Sequence, residues 1–581
     1  MQRVASVLSL AVAGYCLVAG SATAADSASG QDVTVEHKAR AARFLNQATC
    51  GATQEEIDSL AIELQAKPET ALADWIGREV ARPITGRDLV LDSFRRFFPP
   101  DYPNYGYRQR VQEANALRAG MMIDSPLQLR TRMAYALGQI FVVSNQGDLN
   151  GAPEGMCDWQ DMLFKNAFGR FDDLLMNVTT HPCMGYFLSS AGNAKAKFLS
   201  SNSRPDENYA REVMQLFTIG LYELKPDGSY AVKAGSLVPT YDNDDITELA
   251  RVFTGMIYPK GPVERMKRDR KARTMTVFIN PNGNVRYGAM MFDERRHDDG
   301  AKKFLDGRRL PPRRPAEEEI RDVIDRLSVH PSTAPFISRA LIQRFVTSNP
   351  SPAYVRAVAD VFRKTGGDLK EVLTAILLHP EARTPDRAKA ETAGKLREPW
   401  LRFTHMARAF RAKPSADPPW FATYQRRLLS TLGQFPLASP SVFNFYMPSY
   451  EPPGEITERN ESVPLTELPL VGPEFQILHA TTAVMTPNHL LEVVDAEERR
   501  RPGKHSMVLD LGPQVALADR PQELLQNIDL LLTGGAMSDS TREIILKAVN
   551  AVPDGSVAAL RERAKLAVYL AMISPDYVIQ R

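Results

Sequence analysis

The stretch RPDENYAREVMQLFTIGL, residues 204–221, places Arg204, Asp206, Glu207, Asn208, Arg211 and Glu212 within nine positions. Asn208 and Glu212 are four apart, as are Arg211 and Gln215, so each pair shares one face of a helix. Farther along come Asp245, Glu248 and Arg251, spaced three apart, and then His297, Asp298, Asp299, Gly300 and Lys302. A histidine beside carboxylates on a glycine-containing loop is equipped for acid–base chemistry, because imidazole changes charge near neutral pH. The expectation is that Glu212, Arg211, Asp245, Arg251, His297 and Asp298 converge on one cleft. His297, Asp298 and Glu212 are its catalytic candidates. Arg211, Asn208, Asp245, Glu248, Arg251 and Lys302 are its binding candidates.

Three roles suit such a cluster. It can be a buried ion-pair network that fixes helix orientation, which requires every charge to be paired. It can be a docking cleft for a partner. It can be a hydrolase centre using His297 and a carboxylate, with Asp245, Asp298 and Glu212 suited to a hard divalent cation. Part of the charge has a local explanation. Ser203 and Asp206 have the spacing of a helix capping box, with Pro205 in the first turn, and Asp245 with Glu248 has the same spacing.

The elements that must position these residues read as helices. TRMAYALGQIFVVS (131–144), DITELARVFTGMI (245–257), APFISRALIQRFV (334–346) and LRERAKLAVYLAMIS (560–574) repeat apolar residues three and four apart. Strand-like alternation is scarce. The exception is TMTVFINPNGNVRYGAMMF (274–292), where Asn282-Gly283 has the chemistry of a tight turn. The fold class expected is mainly α, a large irregular multi-helix array with one inserted β-hairpin at about 274–292. Three apolar helices end in His-Pro, at His181, His330 and His379, where proline stops the helix and a histidine suits the negative end of its dipole.

The chain has 581 residues, 44% of them apolar, so a substantial core is expected, divided among lobes. Those lobes are expected at 38–306, with a basic loop and hairpin insertion at 258–295, at 316–410, and at 420–581, with a Pro-rich loop at 447–474 that wraps the surface or forms a lid. The 71 Lys and Arg nearly balance the 69 Asp and Glu, which gives no argument for nucleic acid or a membrane surface. The basic run KGPVERMKRDRKAR (260–273) reads as a solvated loop or as a docking patch for an anionic partner. Residues 1–24 have the pattern of a signal peptide, with Arg3, an apolar run and Ala22-Thr23-Ala24, and 25–37 reads as a flexible segment. A periplasmic or secreted protein follows, with no transmembrane segment after cleavage. An oxidising compartment permits a disulfide, and Cys157 with Cys183 is the pair proposed, leaving Cys50 free. No P-loop, GxSxG elbow, HExxH or EF-hand motif occurs, so the cofactor is unknown, with a divalent metal admitted and no nucleotide or haem motif. The aromatic segment SVFNFYMPSY (441–450) reads as core pins or as a carbohydrate or peptide platform.

Several long motifs occur in order: AARFLNQATCGAT (41–53), RMAYALGQIFVVS (132–144), PDENYAREVMQLFTIGL (205–221), HDDGAKKFLDG (297–307), HPSTAPFISRALIQRFV (330–346) and GQFPLASPSVFNFYMPSY (433–450). Together they closely resemble the bacterial domain of unknown function 1800 family, over about residues 38–581. The resemblance implies an exported protein without an established activity. It suggests a co-exported, sulfatase-like partner of the domain of unknown function 1501 family. Family members often read ELMELHTLG where this chain reads EVMQLFTIG, so Phe217 stands for a usual histidine and Gln215 for a glutamate. The function expected is a binding or assembly component acting with that partner, and the alternative is a hydrolase built on the His/carboxylate cluster.

Overall fold

The computed structural model describes residues 33–97, 107–260, 268–269, 274–275, 285–305, 307–383, 393–414, 425–496 and 507–581. The expected signal peptide, most of the flexible segment, and most of the basic run and hairpin lie outside these residues. Helices dominate, and the strands form only two-stranded ladders. The first helices set the local logic. Val35–Ala48 packs on Gln54–Ala66, whose start is fixed by Thr53 and Glu56 in a reciprocal capping box.

Helix Gln128–Gly138 lies near the centre. Almost all of its residues are buried, including Arg130 and Arg132. Their guanidinium groups are accommodated on aromatic faces, Arg130 at 4.3 Å over Phe168 and Arg132 at 4.5 Å over Phe345. Helices Thr333–Phe345, Pro352–Thr365 and Leu369–Leu378 pack in succession, and Val557–Ile573 closes the C-terminal part against Pro521–Thr533 and Ala480–Val494. One continuous apolar cluster runs from Ala41 to Tyr577 and draws on all three expected lobes.

The three His-Pro junctions behave alike: each histidine is the C-cap of the preceding helix, as expected, and has a second role besides. Each ring caps the following segment as an acceptor. His181 Nδ1 takes the Cys183 N–H at 3.1 Å, His330 Nδ1 takes Ser332 N–H at 3.2 Å, and His379 Nδ1 takes Glu381 N–H at 3.2 Å. Each accepting ring nitrogen serves in the way an Asn or Ser side chain serves at an N-cap. Burial lowers the His379 pKa against the opposing pull of Glu381, and the ring stacks 4.0 Å from Tyr354.

The inserted segment also differs from the expected single hairpin. Met291–Phe292 pairs with Met256–Ile257, and Thr274–Met275 pairs with Arg268–Asp269. The first ladder joins the two ends of the insertion directly after helix Asn243–Val252, so the insertion leaves and rejoins the body at one neck. The Asn282-Gly283 turn lies outside the described residues. The Pro-rich 447–474 loop is tied at its base, where Gly472 N–H donates to Tyr450 O at 2.9 Å and Asn349 bonds both backbone groups of Val471. Among the described residues no helix is long and apolar enough to cross a membrane.

Candidate functional site

Most of the residues expected to do chemistry form one sealed network. Helix Asn243–Val252 starts at Asp242, whose capping box is made with Asp245 and not by Asp245 with Glu248. Asp245 also accepts the Leu305 N–H at 3.1 Å. In the last turn, Arg251 grips Asp298 with two bonds, Nε to Oδ2 at 3.1 Å and Nη2 to Oδ1 at 2.9 Å. Its third nitrogen, Nη1, holds Glu248 at 2.8 Å. Burial works against ionisation of Asp298, but the Arg251 hydrogen bonds outweigh it and hold the carboxyl below its usual range. Lys302 Nζ bonds the carbonyls of Asp298 and Gly300 and reaches Glu319 Oε2 at 2.7 Å. His297 Nε2 meets the same Glu319 oxygen at 3.0 Å, and its Nδ1 lies 3.0 Å from Thr254 O. His297, Lys302 and Glu319 are at most 3% exposed. No ring nitrogen of His297 is left to exchange a proton with a ligand.

Glu319, from helix Ala316–Val329, is the centre of this network, and the sequence reading missed it. It sits in PAEEE, where three acidic residues at a helix start look like dipole partners.

Glu212, Arg211 and Asn208 are not part of the network. Helix Asn208–Gln215 begins at Glu207, later than the Ser203–Asp206 box requires. Ser203 instead bonds Ser200 and Leu199, and Asp206 caps Asn208 N–H at 2.9 Å while Asn193 holds the Asp206 backbone. Arg211 is exposed and lies 3.8 Å from Glu207. Burial raises the Glu212 pKa, opposed by Arg211, and Glu212 Oε2 has no hydrogen-bond partner. No hydrogen bond or ion pair joins Glu212 to His297 or Asp298 among the described residues, so the expected single cleft is two separate groups. The metal reading of Asp245, Asp298 and Glu212 fails for the same reason. Among the described residues no three His, Cys, Asp or Glu side chains are grouped to hold an ion. Phe217, at the family's histidine position, is fully buried and 5.4 Å from Phe141.

Cys157 and Cys183 are free, buried thiols, which corrects the expected disulfide. Cys183 Sγ faces the Arg286 carbonyl at 3.5 Å, whereas Cys157 hydrogen-bonds the buried Arg118 guanidinium. Burial pushes the Cys157 thiol up to about 12, so it is protonated and unreactive at neutral pH.

A different place has the geometry of a binding site. A small cleft of about 40 Å³ lies between helix Tyr107–Asp124, helix 128–138, helix Pro153–Lys165 and the 436–445 loop. Its walls are Met121, Met122, Leu163, Phe164, Leu437 and Phe445, and no charged side chain lines it. The loop is sewn in place from the segment after helix 128–138. Ser144 Oγ donates to Ser439 O at 2.6 Å and Asn145 N–H to Leu437 O at 2.8 Å.

The floor of the cleft rests on a buried carboxylate. Tyr135 OH donates to Glu398 Oε2 at 2.8 Å, Gln434 Nε2 donates at 2.6 Å, and Gln139 Nε2 donates to the same oxygen. Glu398 is fully buried. Burial disfavours its charge, but Lys395, Arg344 and Arg132 prevail and keep it ionised below its usual range. Lys395 in turn pairs with the buried Glu474 at 2.8 Å. Because Gln139 commits its nitrogen to Glu398, its Oε1 is left buried without a partner, and so are Gln160 Oε1 and Asn444 Nδ2 in the same lining. Leu437 and Asn444 both have left-handed backbone, φ 56° and 65°, an uncommon state for residues other than glycine.

The sequence did hold one signal for this floor. Arg132, Tyr135 and Gln139 recur at helical spacing on a segment otherwise apolar. The 441–450 aromatics divide between the two readings given to them: Tyr446 is buried under Arg344 at 4.7 Å, whereas Phe445 lines the cleft.

No curated protein and no solved structure matches the chain. A family model does match, over residues 43–579, and that span contains the Glu319 network, the cleft and nearly every helix that builds them. The chain belongs to the family described as protein of unknown function DUF1800.

Proposed function

We propose that this chain is an exported binding component, periplasmic or secreted, that seats an apolar group of a co-exported partner in the cleft beside Gln139. The observation that carries the reading is the set of three buried, unpartnered amide atoms, Gln139 Oε1, Gln160 Oε1 and Asn444 Nδ2, on residues that line one uncharged cleft. Buried polar atoms are almost always hydrogen-bonded, so three left unpaired around one cavity support a missing occupant. The largely apolar wall with a few converging polar groups is the usual make-up of a ligand site. Left-handed backbone at Leu437 and Asn444 adds support, because strain of this kind gathers at binding clamps. Hydrolysis at His297 receives no comparable support, since that ring is closed in on both nitrogens.

The test is co-expression with a sulfatase-like exported protein of the family suggested above, for wild type and Gly138→Leu. Gly138 lines the cleft, and a Cβ there meets Leu163 Cδ1 at an ordinary 3.4 Å, so leucine fills space without breaking the helix. Co-purification is expected for wild type and at least a tenfold loss for the variant, with both chains folded. Undiminished capture by Gly138→Leu overturns the reading. So does turnover of an ester, sulfate or glycoside by wild type that His297→Ala abolishes without unfolding the chain.

A further inference from the structure

A second cavity, of about 20 Å³, has a charged lining. Helix Val35–Ala48 contributes Arg43 and Asn46 to it. Arg397 enters directly after strand Lys395–Leu396, and the paired strand Ile579–Gln580 lines it together with Arg581. Three guanidinium groups, Arg43, Arg397 and Arg581, thus surround a space that has one carboxylate, Asp576. That carboxylate is committed to Ser538, accepting its N–H at 3.0 Å and its hydroxyl at 2.8 Å. Asn46 turns its Oδ1 to the Ala52 N–H at 3.2 Å, which leaves its amide nitrogen as a further donor.

Arg397 is the member whose charge is least provided for. It is 6% exposed. Its Nη1 donates to His405 Nδ1 at 2.7 Å, and burial together with Arg397 itself holds that ring far below its usual pKa, so the partner is neutral. Its guanidinium lies 4.9 Å from the Tyr577 ring centre. Burial pulls the Arg397 pKa down, opposed by Tyr577, and among the described residues no carboxylate forms an ion pair with it. The field around it is also positive. Burial brings Arg402 down to about 10, with Arg397 as a like charge beside it, and brings Arg383 down to about 10, with Arg43 and Arg40 beside it. A buried charge is costly unless it is paired.

We propose that this cavity is a site for one monatomic anion, chloride, held by Arg397 with Arg43, Arg581 and the Asn46 amide. Size and charge both select it. A water-sized sphere needs about 10–15 Å³, so the cavity has room for one halide and not for phosphate or sulfate. A water molecule fits by size but brings no charge to offset Arg397. A metal cation is repelled by the three guanidinium groups. The ion joins helix Val35–Ala48 to the ladder between Lys395–Leu396 and Ile579–Gln580, so halide stabilises the folded chain. This site is independent of the cleft beside Gln139.

The experiment is thermal unfolding of the chain in sodium chloride, sodium bromide and sodium gluconate at equal ionic strength, joined to bromide-soaked crystals measured at the bromine edge. The expected result is a Tm that rises along a saturating curve with chloride or bromide and not with gluconate, and one anomalous peak among Arg43, Arg397 and Arg581. Arg397→Gln should abolish the saturating rise, and Arg581→Gln should raise its midpoint concentration at least tenfold. Arg581 is exposed, so that variant carries the test if Arg397→Gln does not fold. Equal Tm in chloride and gluconate overturns the proposal and leaves the cavity to water. A saturating rise that Arg581→Gln leaves unchanged, or a bromide peak elsewhere with none in the cavity, overturns it as well.

Discussion

The Glu319 network and the Gln139 cleft are both rich in polar groups, yet they are finished in opposite ways. Around Glu319, Lys302 and His297 converge on one carboxylate oxygen, and Arg251 spends its guanidinium on Asp298 and Glu248. The groups hold loop 297–302 against helices 243–252 and 316–329. Around Gln139, a charged floor of Glu398, Lys395 and Glu474 is just as deeply buried, but its upper surface ends in unpaired amide atoms and left-handed backbone. Glu319 Oε1 is also buried without a partner, so the two regions differ in what surrounds the unpaired atoms: ion-paired side chains around Glu319, an uncharged cleft lining around Gln139. Richness in charge therefore does not mark function in this protein.

The strongest way to break that comparison is Glu319→Ala. It leaves Lys302 and His297 facing an emptied oxygen position in the core, and removing one member of a buried pair typically costs about 3–5 kcal/mol. Urea unfolding should show a loss of that size, with partner capture retained if the chain is kept below the transition. A loss under about 1 kcal/mol would mean that the network is not what fixes the loop. Next in size is Phe217→His, which restores the usual family residue. Phe217 is fully buried and packs on the rings of Phe141 and Tyr209, so burying an imidazole there should cost about 1–3 kcal/mol in the same measurement. Unchanged stability would show that the pocket supplies a hydrogen-bond partner and that this position retains the family's chemistry.

How far the sequence reached follows the range of the interactions. Helix periodicity and the His-Pro stops are local, and the helices stand where apolar residues recur, at 128–138, 333–345 and 557–573. His181, His330 and His379 end the preceding helices as expected, but their second role, accepting a backbone N–H of the next segment, is not visible until the acceptor geometry is seen. Asp245 was one step out, since Asp242, Asp244 and Asp245 offer more than one capping register within four residues. His297, Asp298, Arg251, Glu248 and Lys302 were rightly grouped by charge, yet their common anchor Glu319 looked like an ordinary first-turn acid. The cleft was least legible. Gln139 and Glu398 are separated by 259 residues, and the 436–445 loop reaches helix 128–138 only through tertiary bonds such as Ser144 to Ser439. No window of sequence contains both halves of that site.

The comparison sharpens further at Glu212, which shares the unsatisfied character of the cleft without having a cavity. Burial raises its pKa, and its Oε2 has no partner. A carboxyl whose folded pKa is raised stabilises the fold fully below its unfolded pKa, and that contribution disappears as pH rises through the folded value. Glu212→Gln should therefore match wild type near pH 4 and exceed it slightly at pH 7. The gain should be less than about 1 kcal/mol, because the group is partly solvated. Unfolding midpoints of both proteins across pH 4–8 test this. A loss at pH 7 would mean that the carboxylate is paired and belongs with the finished network.

The smallest effect expected on stability is at Asn444, and its smallness is the point. Asn444→Gly removes a buried amide whose Nδ2 has no partner and keeps a φ of 65° that glycine adopts freely. Asparagine tolerates the left-handed region better than other side chains do, so little strain is relieved, and the change in unfolding free energy should stay within about 0.5 kcal/mol. The same variant should weaken capture of the partner at least tenfold. A residue that the fold does not need and the ligand does is the opposite of Glu319, where stability should fall first. If Asn444→Gly instead destabilised the chain by more than about 1 kcal/mol, its amide would be holding the loop, and the two regions would differ only in how completely their structural bonds are made.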